Sequence, residues 1–231
     1  MNCVKCSGEL VKVDKTGKEV YQCNKCSGIW FDFDIDWLDD PSIVIGEILA
    51  DTILMRKKDY INTPNSNIKY NFDNFVTNKN NDFAYSAAQS VSRKPGSCFN
   101  PLFLYGKPNC GKTHLMQAIA NETLRIRKNF KIEYLTSEEL LSLYIDSIEY
   151  NNLLKFRKRF ASSDMLLIDG VQCLTEKEHF QEEFLNIFDQ LYNDSKQIVL
   201  ASYKAPSDIA KLSEKLLKRF ECGLCVDIQL Q

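Results

Sequence analysis

Residues 106 to 113 read GKPNCGKT, with the spacing of a phosphate-binding loop: a glycine, four residues, then Gly111, Lys112 and Thr113. In such a loop the glycines let backbone amides close around phosphate oxygens, the lysine neutralises the outer phosphates, and the threonine hydroxyl binds magnesium. Pro108 and Asn109 are unusual inside the loop, and they either stiffen it or weaken its affinity. The sequence predicts nucleotide contacts from the following residues: Gly106, Asn109, Cys110, Gly111, Lys112, Thr113 and His114.

Four of the nine cysteines form two CxxC pairs, Cys3 with Cys6 and Cys23 with Cys26, separated by the 16 residues 7–22. This spacing is typical of zinc sites, and the repeated hexapeptides CVKCSG and CNKCSG each place a glycine where a tight turn lets amides face sulfur. The alternatives are two disulfides, which a reducing compartment disfavours, or four free thiols. We expect the four thiolates to hold one Zn²⁺ that has no open position for chemistry.

The stretch that carries these pairs, through GIWFD, resembles the zinc ribbons of the TFIIB-type family. A module of about 40 residues has too little core to fold alone, so the metal would supply the missing stability. A third CxxC, formed by Cys222 and Cys225, has no second pair nearby and begins the apolar run GLCVDI, so packing is the preferred interpretation. The isolated cysteines are also expected only to pack: Cys98, Cys110 and Cys173.

The composition limits which classes of protein are possible. The 231 residues are 44% hydrophobic and 26% charged, which is typical of a soluble globular protein and not of a disordered or membrane protein. Lys and Arg total 29 against 31 Asp and Glu, so any nucleic-acid contact must come from a local basic patch. The N-terminus lacks the apolar core of a signal peptide, and no run approaches the roughly 18 apolar residues of a membrane span. We expect a cytoplasmic protein with no membrane partner.

Strand-like apolar runs alternate with helical segments in the second part of the chain. The runs are PLFLY, KIEYL, MLLID, QIVLA and LCVDI, at 101–105, 131–135, 165–169, 197–201 and 224–228. Short buried strands that alternate with helices predict a parallel sheet covered on both faces. The first run leads directly into the phosphate-binding loop.

A helix and a linker are predicted between the ribbon and this region. Asp40 before Pro41 fits an N-cap, and apolar residues recur at helical spacing from Ile45 to Ile53. The apolar face of this helix could pack on the ribbon or on a second chain. The polar run INTPNSN that follows is typical of a linker. The predicted division of the chain is therefore 1–38, 39–67 and 68–231.

Residues 70–120 resemble the ATPase domain of the DnaA family of bacterial replication initiators. The similarity continues through YLTSEEL, LLIDGVQCL, EEFLNIFDQL, QIVLAS and KRFECGL, and covers 68–231. It implies an α/β fold, an AAA+ P-loop NTPase core whose five-stranded parallel sheet has helices on both faces, preceded here by a small zinc ribbon. It also implies ATP and Mg²⁺ as cofactors, oligomerisation through a neighbour's arginine, and a helical insertion that contacts DNA. Because the sequence ends at DIQLQ, the family's helical lid and DNA-reading helix-turn-helix are expected to be absent.

The resemblance gives catalytic roles to Lys112, Asp169 and Arg219. Asp169 matches the acid that holds magnesium, and Arg219 matches the arginine finger that completes a neighbour's site, although it could also be a solvated arginine at a helix end. The family's second acid is replaced by Gly170, and its sensing aspartate by Tyr203. Losing a general base typically costs about 10²- to 10⁴-fold, so we expect slow hydrolysis or none. Nothing in the sequence marks a replacement among the nearby acids: Glu176, Glu178, Glu182 and Glu183.

Residues 138–160 align with the family helices that hold single-stranded DNA. Four positive charges fall within 155–159, and no acid occurs from 150 to 163. Such a run is often only a solvated face, but its position in the insertion makes backbone contact equally credible. Binding would be salt-sensitive and tolerant of sequence. The resemblance implies DNA contacts from Ile145, Lys155, Arg157 and Arg159, with Lys158 completing the basic run.

Two functions remain open at this point. The first is a DnaA-like or helicase-loader-like replication factor that assembles on single-stranded DNA when ATP is bound and docks a replisome or helicase partner through its zinc ribbon. The second is a non-enzymatic regulator that joins or caps initiator oligomers through its AAA+ body and recruits a partner through the zinc ribbon. A truncated, decaying copy is a third possibility.

Overall fold

The computed structural model describes residues 10–15, 18–23, 29–31, 70–176 and 178–229. The chain divides into two compact units, Met1–Ile61 and Asn62–Gln231. The predicted helix and linker at 39–67 lie outside the described residues, and so do Cys3, Cys6 and Cys26. Within the described part, no helix is both long and apolar enough to cross a membrane.

The first unit contains a three-stranded antiparallel sheet. Its strands are β1 (Leu10–Lys15), β2 (Lys18–Cys23) and β3 (Ile29–Phe31), in the order β1-β2-β3. Cys23 is the last residue of β2, where it pairs with Leu10. One predicted zinc ligand therefore lies at a strand end.

The second unit contains a five-stranded parallel sheet, as the alternation of runs predicts. The strands are β4 (Leu102–Tyr105), β5 (Ile132–Thr136), β6 (Met165–Asp169), β7 (Gln197–Ser202) and β8 (Leu224–Asp227). Their order is β5-β6-β7-β4-β8, and every neighbouring pair is parallel. Strand β7 lies between β4, which leads into the phosphate-binding loop, and β6, which ends at Asp169. The predicted sheet is confirmed.

Six helices connect and cover these strands in the described part of the second unit. They are α1 (Asp82–Arg93), α2 (Lys112–Ile126), α3 (Ser137–Glu149), α4 (Leu153–Ala161), α5 (Glu178–Asn193) and α6 (Glu214–Glu221). Two short 3₁₀ helices occupy Val171–Glu176 and Pro206–Asp208.

The alternating side chains of the strands build two apolar layers, one on each face of the sheet. Leu102 and Leu104 of β4 belong to one cluster with the buried residues of α1 and α2. Phe103, between them in the strand, points to the opposite face, where its ring lies 5.5 Å from that of Phe220 in α6. Helices therefore cover both faces, as expected for the predicted α/β class.

Polar caps fix the start of two helices that matter for the site. At α3 the Thr136 hydroxyl accepts a hydrogen bond from the Glu139 amide at 3.2 Å, and the Glu139 carboxylate accepts one from the Thr136 amide at 2.8 Å. This capping box is worth about 1 kcal/mol and sets where the insertion leaves β5. At α6 the Ser213 hydroxyl accepts from the Leu216 amide at 3.4 Å, which orients the helix that carries Arg219.

Candidate functional site

The loop between β4 and α2 turns through three residues with positive φ: Gly106 at 149°, Asn109 at 63° and Gly111 at 99°. A Cβ on Gly106 would lie 2.2 Å from the carbonyl oxygen of Ile228, so only glycine fits there. Asparagine tolerates the left-handed region better than most residues, which gives Asn109 a structural role in the turn. Residues that reach positive φ at 106, 109 and 111 therefore set the path of the loop.

Lys112 closes this loop. Its Nζ donates to the carbonyl oxygens of Gly106 and Lys107, at 2.8 Å each, and lies 3.5 Å from the Cys110 sulfur. Helix α2 begins at Lys112 after Gly111, which provides no side-chain cap. The first-turn amides of α2 are therefore left for an anionic ligand, and the helix dipole favours one.

Two oxygen-bearing side chains meet where the predicted magnesium ligands belong. The Thr113 hydroxyl donates to the Asp169 carboxylate at 2.7 Å. The two residues are 56 positions apart in the chain, and the parallel strands β4 and β6 bring them together. Hydroxyl and carboxylate oxygens are the hard ligands that Mg²⁺ prefers, so this pair fits the cation. When bound with ATP, magnesium neutralises charge on the terminal phosphates.

Tyr134 is a neighbour of this pair that sequence reasoning did not identify. Its hydroxyl donates to the Asp169 carboxylate at 3.4 Å from the adjacent strand β5. Burial, and then the negative charge of Asp169, raise the pKa of Tyr134, so the phenol stays protonated as a donor. The sequence analysis identified KIEYL only as a buried strand, and that pattern does not show which of its side chains reaches Asp169.

Gly170 is held in place by its backbone, with φ at 83°. Its amide donates to the Ala201 carbonyl at 2.9 Å, and its own carbonyl accepts from the Ser137 hydroxyl at 2.7 Å. A Cβ here would lie 3.4 Å from both the Ser137 hydroxyl and the Gln172 amide nitrogen. The position that lacks an acid is therefore surrounded by two polar groups at the carboxyl edge of the sheet.

Two further positions matter to the question of which group could activate water, Glu183 and Tyr203. Glu183 is buried and accepts two hydrogen bonds from Arg157, at 2.7 Å each, so both of its carboxylate oxygens already have a partner. Tyr203 follows β7, the strand between β4 and β6, and is 49% exposed. The phenol of a tyrosine cannot take the place of a carboxylate there.

The segment before α1 covers the loop, a feature that the sequence did not reveal. The His114 Nε2 lies 2.9 Å from the carbonyl oxygen of Asn71, and its ring lies 5.0 Å from that of Phe75. A Cβ on Gly111 would approach the Phe75 ring to 2.8 Å. His114 therefore anchors residues 70–75 beside the loop, and its predicted nucleotide contact stays a prediction.

The basic run of α4 is partly engaged in ion pairs. Arg157 pairs with Glu183 of α5, and Arg159 pairs with Glu133 of β5 at 2.8 Å and 3.2 Å. Phe156 is 6% exposed, which leaves its ring to pack inside the domain. Lys155 and Lys158 are exposed and form no ion pair with another described residue. Ile145 is half-buried on α3. The DNA contacts of Ile145, Lys155, Arg157 and Arg159 stay predictions. Of the basic run, Lys155 and Lys158 are the side chains without an ion pair to another described residue.

Arg219 is at the surface of α6 and forms an ion pair within its own chain. Its Nε donates to Asp189 of α5 at 2.5 Å, and its Nη2 donates to the other carboxylate oxygen at 3.3 Å. The side chains of Arg219 and Asp189 are 45% and 36% exposed. The predicted arginine finger is therefore reachable by another molecule, although its guanidinium already has a partner.

Comparison with known proteins decides the family. The model for the bacterial DnaA ATPase domain matches residues 66–227. The chain belongs to the bacterial DnaA ATPase-domain family. A second model, for a transcription factor zinc-finger of the TFIIB ribbon type, matches residues 2–34. Both resemblances found in the sequence are confirmed.

Individual relatives agree with the family match. The chromosomal replication initiator protein DnaA of Latilactobacillus sakei is 49% identical over 162 residues, which is 70% of this chain and 36% of that protein. Domain III of the Thermotoga maritima replication initiation protein DnaA has a TM-score of 0.70 at 39% identity and covers 72% of this chain and 69% of its own. A DnaA bound to AMPPCP and single-stranded DNA has a TM-score of 0.69 at 36% identity, covering 72% and 51%. The chain thus spans little more than a third of the length of its full-length relatives.

Proposed function

We propose that this chain binds ATP with Mg²⁺ and acts in DNA replication initiation or helicase loading, assembling on single-stranded DNA while ATP is bound and hydrolysing it slowly or not at all. The observation that carries the proposal is the contact between Thr113 and Asp169 at 2.7 Å beside the loop that Lys112 closes. The site has the groups that bind a magnesium nucleotide and lacks a carboxylate at Gly170. Sedimentation of the full chain with a single-stranded oligonucleotide should show ATP-dependent complexes.

The domain organisation that we propose is a zinc ribbon at 1–38, a helix and linker at 39–67, and a DnaA-like ATP-binding domain at 68–231. A family match from residue 66 and a division of contacts after Ile61 support a boundary in this region. In this arrangement the ATP-binding domain contacts DNA and neighbouring subunits, and the ribbon contacts a replisome or helicase partner.

The DNA part of the proposal predicts a specific effect at the two lysines of α4. Changing both Lys155 and Lys158 to glutamate should weaken single-strand binding roughly fivefold and reduce the slope of log affinity against log salt by about 1.4, because about 0.7 counterions are released per phosphate contact. These lysines are better targets than Arg157 and Arg159, whose replacement would also break ion pairs to other elements. Fluorescence anisotropy with a labelled oligonucleotide, over a salt series, measures both quantities.

A matched control uses the same charge change elsewhere. Lys94 and Lys128 are exposed, at the ends of α1 and α2, and lie outside the insertion. Their double change to glutamate should leave the salt slope nearly unaltered. Equal losses of DNA affinity in the two double variants would mean that the lysines of α4 act only through the net charge of the protein. The insertion would then not be the DNA-binding element.

The ribbon predicts one Zn²⁺ per chain. Cys23→Ser should lose the metal, because a structural site seldom survives with three thiolates. Metal analysis of the full chain purified without chelator, beside Cys98→Ser as a control outside the two pairs, measures the stoichiometry. Finding no zinc in the parent would end this part of the proposal and leave the nucleotide site untouched.

A further inference from the structure

Arg219 is proposed to act on another subunit, yet its guanidinium is paired with Asp189 of its own chain. Its two hydrogen bonds use Nε and Nη2, which form one edge of the guanidinium, and each reaches a different oxygen of the carboxylate. A phosphate group is bound by arginine through the same kind of two-pronged contact. The edge that Asp189 occupies therefore cannot at the same time bind a phosphate.

The helices that carry this pair are held firmly against each other. The Phe220 ring, next to Arg219 in the chain, is fully buried and lies 6.3 Å from the ring of Phe184 and 6.4 Å from that of Phe188, both in α5. Ser213 caps the start of α6. The backbones of Arg219 and Asp189 are thus fixed by packing, so the ion pair follows from the fold and not from a chance surface contact.

The pair is also easy to separate, because both side chains are roughly half exposed. Exposed ion pairs contribute up to about 1 kcal/mol, since water and salt screen the charges and two flexible side chains must be ordered. A nucleoside triphosphate with its bound cation offers several phosphate oxygens in a less hydrated site, and these oxygens can displace the Asp189 carboxylate from Arg219. Arg219 can therefore exchange partners when a second subunit approaches.

We propose that Asp189 is a positioning residue that holds Arg219 within its own subunit until the nucleotide of a second copy, or of a related initiator subunit, is presented to it. This inference rests on the proposed function, because it needs Arg219 to complete a neighbouring site. The cost of breaking the pair raises the protein concentration at which subunits assemble. The pair therefore shifts this concentration severalfold, and the shift appears only where the neighbour's nucleotide engages Arg219.

The test compares Asp189→Asn with the parent as full chains. The amide keeps the shape of the side chain but has no negative charge, so the hold on Arg219 weakens. With AMPPCP, magnesium and a single-stranded oligonucleotide, the concentration at half-assembly should fall about three- to fivefold, the equivalent of up to about 1 kcal/mol. With ADP there should be no shift. Sedimentation velocity over a concentration series measures the midpoint, and thermal unfolding checks that each variant is folded.

Two further variants separate this mechanism from a general loss of negative charge. Glu221→Gln removes the same charge from the end of α6, and Glu221 is exposed and forms no ion pair with another described residue. It should leave the midpoint within about 1.5-fold of the parent. In an Arg219→Ala background, Asp189→Asn should have no effect, because the group it restrains has been removed.

Each outcome decides between the two proposals. An unchanged or higher midpoint for Asp189→Asn, a gain that Glu221→Gln reproduces, or a gain that persists without Arg219 would each overturn the holding role of Asp189. Equal assembly by Arg219→Ala and the parent would instead remove Arg219 from the proposed function, and the inference would end with it. Absence of any nucleotide-dependent assembly by the parent would contradict the proposed function itself.

Discussion

Replacing Lys112 with alanine should abolish useful ATP binding, with a loss in affinity of at least about 100-fold, or roughly 3 kcal/mol. In the structure the Lys112 ammonium lies across the loop and donates to the carbonyl oxygens of Gly106 and Lys107. Those carbonyls hold the ammonium inside the loop, so it is in place before the ligand arrives. Exchange of these contacts for charged phosphate oxygens gives stronger, charge-assisted hydrogen bonds.

A fluorescent ATP analogue titrated in the presence of Mg²⁺ measures the affinity. Lys107→Ala is the matched control, because Lys107 is exposed in the same loop and loses the same charge, while the contact that it makes to Lys112 is through its backbone carbonyl. Its affinity for the ATP analogue should fall only a few-fold, because the positive electrostatic potential around the loop is weaker. Comparable losses in both variants would mean that the loop binds phosphate by net charge alone, which would contradict the geometric role of Lys112.

The phosphate-binding loop and the sheet could be predicted from sequence because both are encoded locally. The loop needs residues that reach positive φ at fixed offsets, and Gly106 and Gly111 at 149° and 99° are those residues. Buried parallel strands appear as short apolar runs, and each predicted run agrees with its strand to within one residue. Membership of a known family then supplied the pairing of Thr113 with Asp169 across 56 positions.

The partners of the charged side chains could not be predicted, since they depend on how helices pack. Arg157 and Glu183 are 26 residues apart, and Arg219 and Asp189 are 30 apart. No periodicity links such pairs, and a basic run looks the same in sequence whether its charges meet phosphate, water or a buried acid. The structure therefore changes which residues are useful tests: Lys155 and Lys158 report on DNA, whereas Arg157 also reports on stability.

Restoring an acid at Gly170 is the second large effect that we expect. Gly170→Asp should raise the rate of ATP hydrolysis at least tenfold, which corresponds to about 1.4 kcal/mol of transition-state stabilisation, while ATP affinity stays nearly constant. A carboxylate there would accept a hydrogen bond from the Gln172 amide, whose nitrogen lies 3.4 Å from the position that a Cβ would take. It would also be next to Asp169, where an attacking water must be positioned.

Two features keep the gain below the roughly 10²- to 10⁴-fold that a complete general base provides. Tyr203 is at the position where the sequence resemblance predicts the family's sensing aspartate, so by that prediction one carboxylate is missing even after the substitution. The backbone at Gly170 has a φ of 83°, and a residue with a Cβ is strained there by about 1 kcal/mol, although aspartate tolerates this region better than most. The variant should therefore be active and slightly less stable.

Gly170→Asn separates chemistry from strain, because asparagine has the same shape and the same backbone preference but cannot accept a proton. Steady-state phosphate release, measured with and without single-stranded DNA at concentrations that allow assembly, should be low for the parent and for Gly170→Asn, and higher only for Gly170→Asp. Replacing Lys112 with alanine in the Gly170→Asp variant should abolish the additional ATP hydrolysis, since the nucleotide no longer binds. Rapid, Lys112-dependent hydrolysis by the unchanged chain would mean that another group already positions the water. Equal rates for the asparagine and aspartate variants, both above that of the parent, would show that backbone shape at residue 170 limits turnover, whereas a rate for Gly170→Asp no higher than the parent's would show that a missing base is not the cause.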